Sequence, residues 1–516
     1  MFEKNLLRFA FGILLFICVI QFSGPEAAAI NFSKEETKSA SVYGTKTVKR
    51  DDLSKALAHY SMGVLYDNGQ ETKKALAEYK KALRYDPDNA LLHVRIGMDY
   101  LILEDLNRAM AEFESAKKLD ENSTSAYFLT ALIYASRGQY ELAQKEYEHI
   151  IEKNPENLKA LASLADLFVI RENLEEAALV YERLIKTEVD SPIVYFNLGI
   201  IYTRLQKIDE AIAKIKKAIE LKPDYIEAHV TLGLLYEMKK DYEKAKDAYK
   251  NALGYNPLNP KIYKRMADAY YYMGDFNEAA SQYKMIIKLY PENVDNYISF
   301  AILYMRENQF SEALEVLTKA EENNLKSVDL YMSFGFIYMT TERFKEAVSA
   351  YKEVVALDPK KARGYFFLGV AYDKTGRRDL AVIQFRQAIK VDPNLSEAYN
   401  YIGYIFAEEG KNLDEALTLI KKALKVDPEN GAYIDSLGWV YYKKGVFDEA
   451  LRELEKASRK LPEDAVIRDH LGDVYYSLNM FNEAKIQWEK SLEFAPEKEE
   501  IKQKIQRLKK IAAKKQ

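Results

Sequence analysis

Residues 438–462 read GWVYYKKGVFDEALRELEKASRKLP. The first ten interleave glycine, aromatic residues and lysine. Such a stretch suits a stacking platform for bases or sugars, or one element of a packed repeat. The spacing favours packing. Leu437, Gly438 and Tyr441 fall on one face of a helix, Gly445 is a helix stop that tolerates a left-handed backbone, and Ala450, Leu454 and Ala457 line a second helix. Pro462 ends that helix, because its ring removes a donor and disfavours helix in the residue before it.

Working outward, the prolines from Pro87 to Pro496 recur at 34 or 35 residues or at twice 34, with only Pro192 and Pro260 out of step. Aligning on that period gives thirteen repeats over residues 56–498. Other columns then fall into register. Each repeat carries Gly or Ala at its eighth position (Gly63, Gly97 and onward to Gly472) and an alanine twelve residues later, thirteen in repeat 11 (Ala75, Ala109 and onward to Ala484). Small residues at both places let two helix backbones approach closely. The aromatic residue that follows, Tyr in eleven repeats and Phe168 and Phe406 in two, fills the wedge beside them.

This pattern resembles the tetratricopeptide repeat, whose aromatic, Leu-Gly, Tyr, Ala, aromatic, Ala and Pro positions are matched by Tyr399, Ile402-Gly403, Phe406, Ala416, Ile420, Ala423 and Pro428. The last three repeats are most similar to the C-terminal repeats of exported bacterial proteins of this type. The expected fold is all-α. A single hairpin cannot bury its apolar faces alone, so the repeats must stack into a solenoid. The resemblance implies a right-handed superhelix with the first helix of every hairpin lining a concave groove. After Pro496, Ile501, Ile505, Leu508 and Ile511 share one helical face, which predicts a capping helix over residues 499–516.

Composition agrees with a helical repeat. Among 516 residues there are only 21 Gly and 13 Pro, 30% are charged, and Tyr, at 39, is the outlier. A net charge of -4 gives no global footprint for nucleic-acid binding. With Lys498 just before it, the cap is locally basic, eight Lys or Arg standing against Glu499 and Glu500. That pattern suits a solvated helix face, or contact with an anionic surface.

The N-terminus reads as an export signal over residues 1–29. Lys4 and Arg8 precede an apolar run from Phe9 to Ile20, and Ala27-Ala28-Ala29 supply the small residues of a cleavage site. Left uncleaved, the run would be an anchor, although it is short for a membrane span. The only cysteine, Cys18, lies inside it and is preceded by Phe16 and Ile17, where lipidation needs a small residue. Cleavage would leave a chain with no thiol chemistry. Residues 30–55 are polar and read as a linker.

No phosphate-binding loop, nucleophile elbow or zinc-protease motif occurs. His59, His93 and His229 stand in a column occupied by Tyr elsewhere, while His149 and His470 have no ligand-spaced partner in the sequence. Carboxylate pairs such as Asp414-Glu415 and Asp448-Glu449 open second helices, where they complement the helix dipole. The expectation is a protein without enzymatic activity, cofactor or metal.

The family resemblance places groove-facing side chains at positions 2, 5, 9, 12 and 13 of the first helix. From repeat 7 onward these columns supply Tyr271, Tyr272, Phe336, Phe366, Tyr404, Asp435, Trp439, Tyr442, Asp473 and Tyr476. Rigid aromatics with scattered carboxylates suit an extended peptide or partner helix. The Lys and Asn set that grips a terminal carboxylate in chaperone-binding members is missing. The leading expectation is therefore an exported scaffold that holds protein partners during envelope assembly. Its rival is a carbohydrate-binding or polysaccharide-export factor that stacks sugars on the groove aromatics, Trp439 above all.

Overall fold

The computed structural model describes residues 49–187 and 190–514. The expected signal, residues 1–29, and most of the polar stretch behind it lie outside the described residues. Every regular element among the described residues is a helix. The chain divides into two compact parts, one ending at Gly274 and one beginning at Asp275.

The first part holds repeats 1 to 6 and helix A of repeat 7 (Pro260–Met273); the second holds helix B of repeat 7 (Phe276–Leu289), repeats 8 to 13 and the cap. Helix A of repeat 1 spans Arg50–Asn68, so it opens inside the stretch read as linker. Pro192 and Pro260, the two out-of-step prolines, each occupy the first turn of a helix A. There the missing N–H has no partner to lose.

The hairpin is built as the two small columns require. A Cβ on Gly438 would lie 2.6 Å from Leu454 Cγ and 3.2 Å from the Ala450 carbonyl oxygen. The alanines of the second column are buried in every repeat. Large side chains such as Tyr79, Phe113, Tyr249 and Phe385 close the space opposite the small residue.

The residue that ends the A-to-B turn motif takes a left-handed backbone in every repeat, from Gln70 and Glu104 through Gly445 to Asn479, and repeat 11 adds a second at Asn412. Only five of these thirteen are glycine. The turn is a Schellman motif, in which the next residue donates to a carbonyl five residues back, as Asp105 does to Tyr100 and Val446 to Tyr441. That acceptor is the wedge aromatic. Stacking thus holds the turn conformation at the eight repeats that lack glycine, against a cost of about 1 kcal/mol each.

The cap helix spans Glu499–Lys514. It buries Ile501, Ile505 and Leu508 against Ala484 and Trp488 of repeat 13. Its basic character is partly consumed inside the fold, because Lys504 pairs with Asp469 and Asp473, each at 2.7 Å.

Candidate functional site

The A helices carry the columns expected to meet a partner. Repeats 11 to 13 show what happens when they meet each other instead. Trp439, at the ninth position of helix A in repeat 12 (Gly431–Lys443), is only 6% exposed. Its indole is stacked on Tyr442, 4.8 Å away and nearly parallel, and on His470 of repeat 13 at 3.8 Å. Its Nε1 donates to Glu408 of repeat 11 at 2.6 Å, and the Lys443 ammonium lies 4.7 Å from the ring centre. Asp435, also 6% exposed, meets His470 Nδ1 at 3.0 Å.

In repeat 13 the same column is closed by hydrogen bonds. Asp473 accepts from Trp488 Nε1 at 3.1 Å and from Lys504. Burial pushes its carboxyl pKa up, and the Lys504 ammonium works against that rise. Burial pulls the imidazole pKa of His470 down, but contact with Asp435 and the nearby Asp469 and Asp473 outweigh it, so the net shift is upward. A buried contact between His470 and Asp435 therefore joins repeats 12 and 13. His470 has a partner after all, 35 residues away in sequence.

Expected site residues accordingly divide. Trp439, Asp435 and Phe366 are buried rather than open to a groove, Phe366 among Phe367, Phe385 and Tyr401. Tyr404, Tyr442 and Asp473 are half-buried. Tyr476 is exposed but leans on Phe481 and Trp488. Phe336 is 55% exposed. In the first part, Tyr272 is 59% exposed and stacks on Tyr242 at 4.9 Å, with Tyr271 edge-on to it.

The open stretch of A-helix surface lies earlier than the sequence columns were read. A cleft of about 550 Å³ runs over helix A of repeats 5 (Pro192–Arg204) and 6 (Ile226–Met238) and reaches repeat 7. Ile200 and Leu234, both at ninth positions, form its apolar floor with Met238, and Thr203 and Thr231 supply hydroxyls. Arg265 stands at one end, 3.3 Å from Glu237, which also accepts from the Tyr249 hydroxyl at 2.7 Å. Burial raises the carboxyl pKa of Glu237, which Tyr249 and Arg265 counteract. An apolar trough with one charged pair at its end can seat an aliphatic segment and orient it. Columns 9, 12 and 13 of repeats 5 and 6 were legible in the sequence; only their exposure was not.

Among the described residues no group of three His, Cys, Asp or Glu is arranged to hold a metal ion, and no helix is long and apolar enough to cross a membrane. The other histidines are packed: His59 and His93 each meet a glutamate at 2.7 Å, and His229 stacks on Tyr255 while contacting the Pro223 carbonyl.

Models of the tetratricopeptide repeat match residues 56–89, 128–191, 201–240 and 236–288, and overlapping matches continue over 264–431. No curated protein matches the sequence. Among solved structures the chain is similar to the APC/C hetero-tetramer Cut9–Hcn1, at 16% identity over 88% of this chain and 98% of that one, with a TM-score of 0.40. Yeast Tom70 matches at 18% identity over 83% and 96%, with a TM-score of 0.35. YrrB, a TPR protein with an unusual peptide-binding site, matches at 26% identity over 36% and 96%, with a TM-score of 0.32.

Proposed function

Because this chain belongs to the tetratricopeptide repeat family, we propose that it is a non-catalytic scaffold that seats an aliphatic peptide or helical segment of a partner protein on helix A of repeats 5 and 6. Proteins of this family are interaction scaffolds and are generally without catalytic activity. The observation that carries the reading is the cleft floored by Ile200, Leu234 and Met238. Half-buried apolar side chains lining a cleft, along a column whose side chains in repeats 12 and 13 are tied up by stacking or hydrogen bonds, suit a helix-in-groove partner. Sugar stacking loses its main support, because the Trp439 ring is buried and already stacks on Tyr442 and His470.

The place of action is the cell envelope. That part of the reading rests on the charged start, short apolar run and triple alanine of residues 1–29. A photo-crosslinking residue placed at Met238 of the full chain in intact bacterial cells tests both parts, with mass spectrometry reading the captured proteins and the mature N-terminus. Envelope proteins caught by a chain that starts near Ile30 would support it. Cytosolic proteins caught by a chain with an intact Met1 would sink the export reading, and a catch unchanged by Leu234→Asp would sink the site.

A further inference from the structure

The B helices carry a second trough, on residues that the A-helix reading does not use. It lies between helix B of repeat 3 (Tyr140–Lys153) and helix B of repeat 4 (Leu174–Lys186), and helix A of repeat 4 (Leu158–Ile170) forms its floor. Its volume is about 560 Å³. Ile151, Leu164 and Phe168 make the base, and Leu179 stands on one wall. At one end the Arg183 guanidinium donates to the Pro155 carbonyl at 2.8 Å.

Two features mark this trough. The first is Leu179, which is 69% exposed. It occupies the column two residues after the buried alanine of helix B, where ten of the thirteen repeats place Ala, Ser, Thr or a charged residue, and it is more exposed than the other two aliphatic residues there, Ile383 at 50% and Ile486 at 49%. A leucine held in water at a column that elsewhere serves solvent gains stability only when something covers it.

The second is the charge of the rim. Glu148 and Glu152 lie one turn apart on one wall and Glu176 on the other. At the position of Glu152 the neighbouring repeats 2 and 4 carry Lys118 and Lys186. Glu152 and Glu176 have no ion pair among the described residues, and Glu148 accepts only from Gln144 at 2.8 Å. Three carboxylates around an apolar trough repel one another, and the only cation in the lining, Arg183, is engaged with a backbone carbonyl. The complement is an apolar stripe flanked by ammonium or guanidinium groups.

We infer that the trough between the B helices of repeats 3 and 4 is a docking surface for a basic amphipathic helix of a partner protein, separate from the A-helix cleft. Its leucine-like anchors would cover Leu179 and the Ile151–Phe168 floor, and its Lys or Arg residues would meet Glu148, Glu152 and Glu176. Such a contact joins an apolar core to a charged rim that steers association.

The test uses the full chain and a fluorescein-labelled peptide of leucine and lysine, roughly four helical turns long, with leucines on one face. Fluorescence anisotropy should show saturable binding that weakens about tenfold or more in Glu148→Lys/Glu152→Lys and in Leu179→Ser, and that weakens again as salt rises to about 0.5 M. All three positions are on the surface, so circular dichroism should match the parent chain. Met238→Glu, in the A-helix cleft, should leave this binding unchanged, which keeps the outcome independent of the proposed function. Equal binding of a leucine–glutamate or scrambled peptide, indifference to the rim variants, or no saturable binding would overturn the inference. A dimer in sedimentation velocity that Leu179→Ser dissolves would also overturn it, by assigning the trough to a second copy.

Discussion

Repeats 5 and 6 and repeats 12 and 13 use one hairpin plan and put the same columns to opposite ends. In both regions the eighth residue of helix A is glycine, and in both an added Cβ would lie 2.6 Å from an aliphatic side chain of helix B, Ile215 for Gly199 and Leu454 for Gly438. The difference begins one residue later. The ninth position holds Ile200 and Leu234 in one region, facing a cleft, and Trp439 and Asp473 in the other, each tied to the helix before or after it. A tetratricopeptide surface is therefore open or sealed according to whether its ninth, twelfth and thirteenth side chains can reach across to the next repeat. Trp439 and Asp473 reach a partner, whereas Phe336, although aromatic, stays 55% exposed at the same position.

The sharpest way to break this contrast is Trp439→Ala. It removes a buried ring that stacks on Tyr442 and His470 and leaves Glu408 without its donor, so a loss of about 3–5 kcal/mol is expected. Phe336→Ala, a deletion of similar size at the same ninth position but 55% exposed, should cost within about 0.5 kcal/mol. Trp439 and Trp488 are the only tryptophans. In the first variant Trp488 alone therefore reports urea unfolding of this region by fluorescence. Equal costs at the two sites would mean that Trp439 is not sealed.

A second pair should erase the contrast. Gly438→Ala and Gly199→Ala both force a methyl group into the interface with helix B, and each should cost about 1–3 kcal/mol, because the hairpin core is common to the open and sealed regions. Thermal unfolding by circular dichroism would check this. A marked inequality would show that the sealed face alters the hairpin packing beneath it.

How much of this was written in the sequence follows from the distances involved. The period, both helices and the small columns are local or recur every 34 residues, so the hairpins were readable from Gly438, Ala450 and Pro462 alone. Left-handed turn residues were half visible: Gly445 announces one, whereas Glu104, Glu172 and Lys240 do not, because the Schellman bonds and the wedge aromatic fix them there. Exposure was the part that failed at Trp439, Asp435 and Phe366, which are buried, while Tyr272, Phe336 and Tyr476 are exposed. Trp439 is covered by His470 and bonded by Glu408, 31 residues away in either direction, and nothing local to GWVYY marks either partner. His470 looked solitary for the same reason.

The Asp435–His470 pair gives the sealed region a pH dependence of its own. With its folded pKa above the ordinary value near 6.5, His470 contributes stability that is fully present below about pH 6.5 and is lost as pH rises through the folded value. Fluorescence-detected urea midpoints should therefore fall between pH 6 and 9, and His470→Gln should flatten that fall. A whole-chain signal would mix in Asp99 of repeat 2. Burial and the neighbouring Asp67 push that carboxyl up to about 8, and it loses its own contribution as pH rises from 3.8 to about 8. Tryptophan emission isolates the C-terminal repeats. A midpoint that rises with pH in the parent chain would refute the charged pair.

The smallest effect on stability should accompany the largest on partner capture. Met238 is 50% exposed at the end of the open cleft, with no neighbour reaching over it as His470 reaches over Trp439. Met238→Ser should therefore change unfolding by within about 0.5 kcal/mol, since an exposed side chain leaves no cavity and strands no buried polar atom. A residue whose removal the fold barely registers is free to be spent on a partner, so the same substitution should abolish crosslinks from a probe at Leu234 while thermal unfolding stays put. Destabilisation comparable to that of Trp439→Ala would mean that the cleft is filled by the protein itself, and the distinction between an open and a sealed face would fall with it.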